Sequence, residues 1–384
     1  MWDRGATSSS RARRSWTATG STLDPRQLPL RAAGRPGHRG RVNLDATAPI
    51  AVRAAAPAEL IVPDVALGLT WLPLSPAEAP ELAELVGAIE EADRRPFRTS
   101  PQEVADWFVG AWRDNQRDTL AGRDQDGALR AYAQVTVAPG AERVVRAFIS
   151  GGVHPGWRGR GVGRALITWM EGRGRQLLAA SGRDLPARIG AYLDRTDDKP
   201  LALYGSAGFT PVRNYADMRR SLALPLPAGR IPAGIRIVPW SPVLDERVRL
   251  AHNETFADHW GSEPRTVEVW SQRESTFAPQ WSRVALDEAR GEVAGYLLSA
   301  RYEHDWRVVG HSAGYIDLLG VRRPWRGRGL AVSLMASAMA AYRADGIEYA
   351  EISVDTENLS GAHLLYERLG FEVFHGAVLM TIEL

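Results

Sequence analysis

Two stretches of this 384-residue chain carry the residue types and spacing of a phosphate cradle. Residues 326–331 read Arg-Gly-Arg-Gly-Leu-Ala, and residues 158–163 read Arg-Gly-Arg-Gly-Val-Gly. Each follows a run of β-formers and opens a helical pattern, so one strand–glycine loop–helix unit occurs twice, 168 positions apart. Small residues in such a turn let backbone N–H groups converge at the positive end of the helix dipole, which suits a phosphate or pyrophosphate. Neither hexamer has the Gly-Lys-Ser/Thr of a nucleoside-triphosphate loop, nor the third glycine of the dinucleotide fingerprint. The expected ligand is a phosphorylated cofactor, bound once per half.

A second signal is also duplicated. About forty residues after each loop comes Leu-Tyr followed by Gly-Phe: Leu365-Tyr366 with Gly370-Phe371, and Leu203-Tyr204 with Gly208-Phe209. A phenol of pKa about 10 can protonate a departing thiolate; it can equally pack a last helix against a sheet. A single acid, Asp317, interrupts the apolar run Tyr315-Ile-Asp-Leu-Leu-Gly-Val321. Strict alternation puts residues 315, 317, 319 and 321 on one face. A carboxylate there is costly without a role. It can act as a base through a water, anchor a cationic acceptor, or pair with an arginine.

The paired signals, Arg-x-x-Gly-x-Gly/Ala and the later Asn358…Leu365-Tyr366-x-x-x-Gly370-Phe371, resemble the two diagnostic motifs of the GNAT N-acetyltransferase superfamily over roughly residues 65–384. The resemblance implies an α+β fold of two tandem GNAT-type domains, each a twisted mixed sheet flanked by helices and splayed between its fourth and fifth strands. It implies acetyl-CoA as cofactor and direct acetyl transfer to a primary amine of a small molecule; the alternative is a non-catalytic acyl-CoA-binding sensor. The cofactor would lie on Arg326, Gly327, Arg328, Gly329, Leu330 and Ala331, with Leu319, Val321 and Asn358. Its counterparts in the first half are Val153, Arg158, Gly159, Arg160, Gly161, Val162 and Gly163. Tyr366 would be the general acid, and Asp258, His259 and Trp260 fall where the family contacts its acceptor. Aligning the loops sets Ile149 against Asp317, and aligning the tyrosines sets Thr196 against Asn358. The first half thus keeps the loop and Tyr204 but no acid in its fourth strand, which assigns chemistry to the second half.

These residues need a scaffold, and the pattern supplies it twice. A strand at 67–72 leads to helices at 77–92 and 101–112, the latter begun by Ser100-Pro101 with Glu103 in its first turn. Strands fit 118–123, 128–138 and 143–153, with Asp126-Gly127 a hairpin turn. A helix to about 180, a strand near 187–193, the Tyr204 helix and two closing strands end near 222. The second half repeats the order: a strand at 235–239, helices at 242–257 and 264–274, and strands at 281–287, 292–302 and 311–321. A helix at 327–345, a strand at 348–354, the Tyr366 helix and strands at 371–375 and 377–383 follow. The domains are therefore 65–223 and 233–384, joined by the proline-spaced linker 224–232.

Composition sets the outer bounds. The chain is 45% hydrophobic and 24% charged, without cysteine, so disulfides, thiolate metal sites and a cysteine nucleophile are excluded. A cytoplasmic enzyme fits that usage. No apolar run reaches the roughly 18 residues of a membrane span, and no His or acid spacing matches a metal site. Residues 1–57 hold ten Arg against three Asp and lack apolar periodicity, the signature of a disordered basic tail. Arginine without interleaved aromatics is weak ground for a nucleic-acid partner. Oligomeric state is not legible.

Overall fold

The computed structural model describes residues 48–357 and 361–384. Among the described residues, twelve strands form one continuous sheet. The first half contributes β1 (Thr70–Leu72), β2 (Thr119–Arg123), β3 (Leu129–Val137), β4 (Val145–Val153), β5 (Ala187–Asp194) and β6 (Thr210–Ser221). The second contributes β7 (Ile235–Pro239), β8 (Arg283–Asp287), β9 (Glu292–Arg301), β10 (Ala313–Val321), β11 (Tyr349–Asp355) and β12 (Glu372–Glu383). Their spatial order is β1-β2-β3-β4-β5-β12-β6-β11-β10-β9-β8-β7. Each half is a mixed α+β unit as expected, but neither closes its own sheet. β12 pairs with β5, and β6 pairs with β11. Val378 and Met380 of β12 accordingly sit in the core of the first half, and Ala216 and Met218 of β6 in that of the second. The two closing strands expected in each half are one long strand each, bent by a register shift between Val373 and His375 in β12.

The helices are α1 (Ile50–Arg53), α2 (Ala79–Ala92), α3 (Pro101–Asp106), α4 (Asn115–Asp118), α5 (Val162–Ala180), α6 (Asp198–Ser206), α7 (Asp245–Thr255), α8 (Val267–Ser271), α9 (Glu303–Val309), α10 (Leu330–Ala344) and α11 (Ala362–Arg368). α5 and α10 are the long supports. In α10, Leu330, Leu334, Met335, Ala338, Met339 and Tyr342 recur at helical spacing and are all buried beneath the second half of the sheet. Each such large side chain contributes roughly 1.5–3 kcal/mol by leaving water. α3 begins at the expected Ser100-Pro101, where Ser100 and Glu103 form a capping box, and stops at Asp106 rather than 112. α9 occupies a stretch the pattern leaves as loop.

Two stretches outside the expected domains are packed on the protein. Residues 48–57, expected in the tail, are docked: Ile50 and Ala54 are buried, and the Arg53 guanidinium donates to the carbonyls of Ala48, Leu185 and Leu384. Residues 1–47 lie outside the described residues. The proline-spaced linker is also laid down on the protein. Leu226 packs into the second-half core, and a Cβ on Gly229 would stand 2.6 Å from the Ser333 Cα.

Candidate active site

Backbone geometry repeats in the two glycine loops. Gly159 and Gly161 have φ of +77° and +89°; Gly327 and Gly329 have +72° and +80°. An L-residue is strained in that left-handed conformation, which is why glycine recurs at alternate positions. Gly161 and Gly329 are the N-caps of α5 and α10. Among the described residues, none accepts a hydrogen bond from the N–H groups of 159–163 or 327–331. Five unsatisfied donors in one turn, at the positive end of a 15- or 19-residue helix, form an anion cradle that fits a pyrophosphate.

The arginines of the loops do a different job from the one expected. Arg158 donates from Nε to the Val153 carbonyl, and Arg326 from Nε to the Val321 carbonyl at 2.8 Å. Each braces the turn between the fourth strand and the loop. Arg158 also pairs with Asp93, and Arg326 reaches the Thr255 carbonyl. Arg160 lies over the Trp157 ring. The anion cradle is thus chiefly main chain, and Arg328 is the loop cation without a contact of this kind among the described residues.

The expected splay is present twice. β4 pairs with β5 only from Val145 to Phe148, and β10 with β11 only from Ala313 to Ile316. Beyond those points each fourth strand turns an unpaired main-chain edge into a cleft. Val153, Leu319 and Val321 lie on these free edges. The side chains of Leu319 and Val321 point into the core around α10, so only their main chain can meet a ligand.

Strict alternation fails at Asp317. Ile316 pairs with Ser299 and Leu318 with Leu298, leaving Asp317 as the extra residue of a β-bulge. Tyr315 consequently packs with Tyr302 and Ala300, whereas Leu319 and Val321 enter the α10 core. The four residues expected on one face do not share it. The bulge places Asp317 where β10 leaves β11, and its charge acts on the Arg273 guanidinium. The first half has no register shift here; Ile149 is buried in the α5 core.

Tyr366 and Tyr204 occupy matching places on α11 and α6. Each ring meets the following Phe, at 6.0 Å for Phe371 and 5.2 Å for Phe209. Burial pushes both phenols well above their usual range. Their surroundings differ. Tyr366 is 0% exposed, and among the described residues its hydroxyl has no hydrogen-bond partner. Tyr204 lines a cavity of about 170 Å³ between β4 and β5. Asn358 falls outside the described residues.

The Asp258–Trp260 segment is moved away from its expected place. It crosses to the first half, where Trp260 lies 4.9 Å from the Arg188 guanidinium and 4.3 Å from that of Arg213. Glu263 fastens the crossing by accepting the N–H groups of Glu142, Arg143 and Val144. Asp258 pairs with Arg323, and His259 Nδ1 is 3.0 Å from the Trp260 carbonyl. In return the first half sends residues 95–99 onto the second, where Asp305 accepts the Arg98 N–H at 3.0 Å. The seam between the halves is closed by His375, whose ring nitrogens lie 3.0 Å from Asp194 and 3.3 Å from Asp217. Burial pushes that ring down to about 3, with Asp194 pulling the other way.

The side chains that sequence reasoning missed surround the first-half cavity, notably Glu90, Trp107 and Tyr132. The signal for Glu90 was present: it stands four residues after Val86 and eight after Leu82, at the end of the buried stripe of α2.

Residues 83–194 and 246–371 match the model of the acetyltransferase (GNAT) family. The chain is 31% identical to a mycothiol acetyltransferase from Thermobispora bispora over 63% of this chain and 75% of that one. A mycothiol acetyltransferase from Thermobifida fusca is 29% identical over 81% and 96%. Among solved structures, a GCN5-related N-acetyltransferase from Sphaerobacter thermophilus superposes with a TM-score of 0.63 at 31% identity, covering 84% of this chain and 97% of that one. A tandem GNAT protein from the clavulanic acid pathway shares the fold, with a TM-score of 0.61 at 20% identity over 82% and 98%.

Proposed function

Because the chain belongs to the GNAT family and is an acetyl-CoA-dependent N-acetyltransferase of the tandem kind, we propose that it acetylates a primary amine of a small molecule at the splay of its second half. The acceptor of mycothiol acetyltransferase is the first candidate. A cytoplasmic location goes with this reading; among the described residues no helix is long and apolar enough to cross a membrane.

The observation that carries the assignment is the Tyr366 hydroxyl, fully buried and without a hydrogen-bond partner among the described residues. An orphaned polar atom is costly and asks for a function. When bound, acetyl-CoA supplies the acetyl group as a thioester, whose carbon–sulfur bond breaks as the carbon–nitrogen bond forms. The loop N–H groups of 327–331 would hold its pyrophosphate, and the free edge of β10 beyond Ile316 would offer main-chain partners to its amide-bearing arm. An ordinary amine has a pKa near 10.4 and is protonated at pH 7, so exposing its lone pair costs about 4–5 kcal/mol. Asp317 takes up that proton through a water. Tyr366 delivers its own proton to the departing sulfur, and the proton that the nitrogen sheds on becoming an amide returns to the phenolate. Its raised pKa keeps the hydroxyl protonated until then.

Tyr366→Phe removes one oxygen from a site with no hydrogen bond to lose, so the fold should hold while kcat drops about 10²–10⁴-fold. Tyr204→Phe should leave kcat near wild type. Unchanged turnover in Tyr366→Phe, measured where chemistry limits the rate, returns Tyr366 to a packing role.

A further inference from the structure

Arg146 of β4 and Arg188 of β5 are register partners on adjacent parallel strands, in the stretch where those strands are still paired. Alternation puts both on the face away from α5. Their neighbours Ala147 and Ile189 are buried in the α5 core, whereas Phe148 and Tyr192 cluster with Tyr215 and Leu379 on the other side. Like charges side by side on neighbouring strands repel, and the counter-charges here are few. The exposed Glu383 comes within 3.4 Å of Arg188, yet the buried Arg188 Nε has no hydrogen-bond partner among the described residues. Arg146 forms no ion pair among them. Burial pushes the Arg188 guanidinium below its usual range; Glu383 pulls it back up and Arg146 pushes it further down.

The other half roofs these arginines. Trp260 and Gly261, on the segment that crosses from the second half, close a recess with Arg146, Arg188, Tyr192 and Tyr215. The Trp260 ring lies 4.9 Å from the Arg188 guanidinium, and a Cβ on Gly261 would stand 3.5 Å from Arg146 Nη1. Arg213, paired with Glu357, holds the same ring at 4.3 Å. The recess measures about 20 Å³, room for one small group rather than a whole metabolite. Guanidinium forks match the oxygens of a phosphate, and walls of aromatic rings strengthen such charged hydrogen bonds by keeping water off them.

We infer that this recess is an oxyanion site at the seam between the halves, in which Arg146 and Arg188 grip one phosphate group beneath Trp260. Both halves line it, so an anion bound there ties the crossing segment to the first half. The site uses neither glycine loop and neither Asp317 nor Tyr366, so it stands or falls apart from the assignment of acetyl transfer.

The test is calorimetry and amide hydrogen exchange on the full chain at constant ionic strength, with inorganic phosphate and glycerol 1-phosphate as probes. In wild type, phosphate should bind and slow exchange over residues 256–263. Arg146→Gln and Arg188→Gln should each weaken that binding about tenfold or more and cancel the protection. Gly161→Val, which spoils the first-half glycine loop, should keep the protection in full. A monoester that binds about tenfold more tightly than phosphate marks the anion as one end of a larger metabolite, and equal affinity marks the free ion; either result supports the site provided that it needs both arginines. Phosphate that leaves 256–263 unprotected in wild type overturns the inference, and so does protection that survives either arginine variant or disappears in Gly161→Val. Should Arg188→Gln fail to fold, Arg146→Gln decides, since Arg146 has no ion pair to lose: undiminished protection in that variant overturns the site.

Discussion

Replacing Gly329 with valine tests the anion cradle most directly, because the structure supplies a matched control. Gly329 has φ of +80°, and a Cβ at that position would meet only the Arg230 carbonyl, at an ordinary 3.6 Å. Gly346, in the turn after α10, has φ of +73° and open space around a Cβ. A side chain at either position suffers the same left-handed strain, about 1–2 kcal/mol for an L-residue and more for a β-branched one. Both variants should therefore lose similar stability in a thermal melt. Only Gly329 also aims N–H groups at a ligand. Turning away one or two hydrogen bonds to a charged group, each about 1.5–3 kcal/mol, weakens binding by roughly 10- to 10,000-fold at 1.4 kcal/mol per decade. Calorimetric titration with coenzyme A should show one site lost in Gly329→Val, the other lost in Gly161→Val, and neither lost in Gly346→Val. If Gly346→Val weakens coenzyme A as much as Gly329→Val, strain alone explains the result and the cradle is wrong. If neither does, the phosphates bind elsewhere.

Two further outcomes follow from the seam. Met380 belongs to the last strand of the chain but is buried in the first-half core, so Met380→Ala should cost about 2–5 kcal/mol and raise hydrogen exchange in β4 and β5; exchange that rises only around α10 would refute the exchanged strands. Burial holds His375 neutral in the fold down to about pH 3, whereas the unfolded ring gains a proton below about 6.5. Unfolding then takes up a proton, and wild type should lose stability relative to His375→Gln as pH falls from about 6.5 towards 3. A gap that is flat across that window, or that moves in wild type's favour, contradicts a neutral buried ring.

The local geometry of the candidate site was legible from sequence because it is set within a few residues. A left-handed glycine followed by a helix start is settled within half a dozen residues, so Gly159, Gly161, Gly327 and Gly329 were recognisable without any partner. The same holds for Tyr204 and Tyr366, each five residues ahead of the Phe it packs against, and for the apolar spacing of α5 and α10. What lay out of reach depends on contacts between distant segments. β6 and β12 have alternating patterns that fit either neighbour, and only the packing of Met218 and Met380 into the opposite cores selects the exchange. The bulge at Asp317 comes from pairing with β9, and period-two alternation has no means of signalling one extra residue. Trp260 was expected beside the second cleft, yet it lies against Arg188 and Arg213 of the first half, because the crossing segment is anchored by Glu263 on the far domain. Sequence determined that two left-handed glycine loops at helix starts and two phenols exist; tertiary structure decided which phenol is sealed and which faces a cavity, since that turns on how side chains fill the space between β4 and β5 and between β10 and β11.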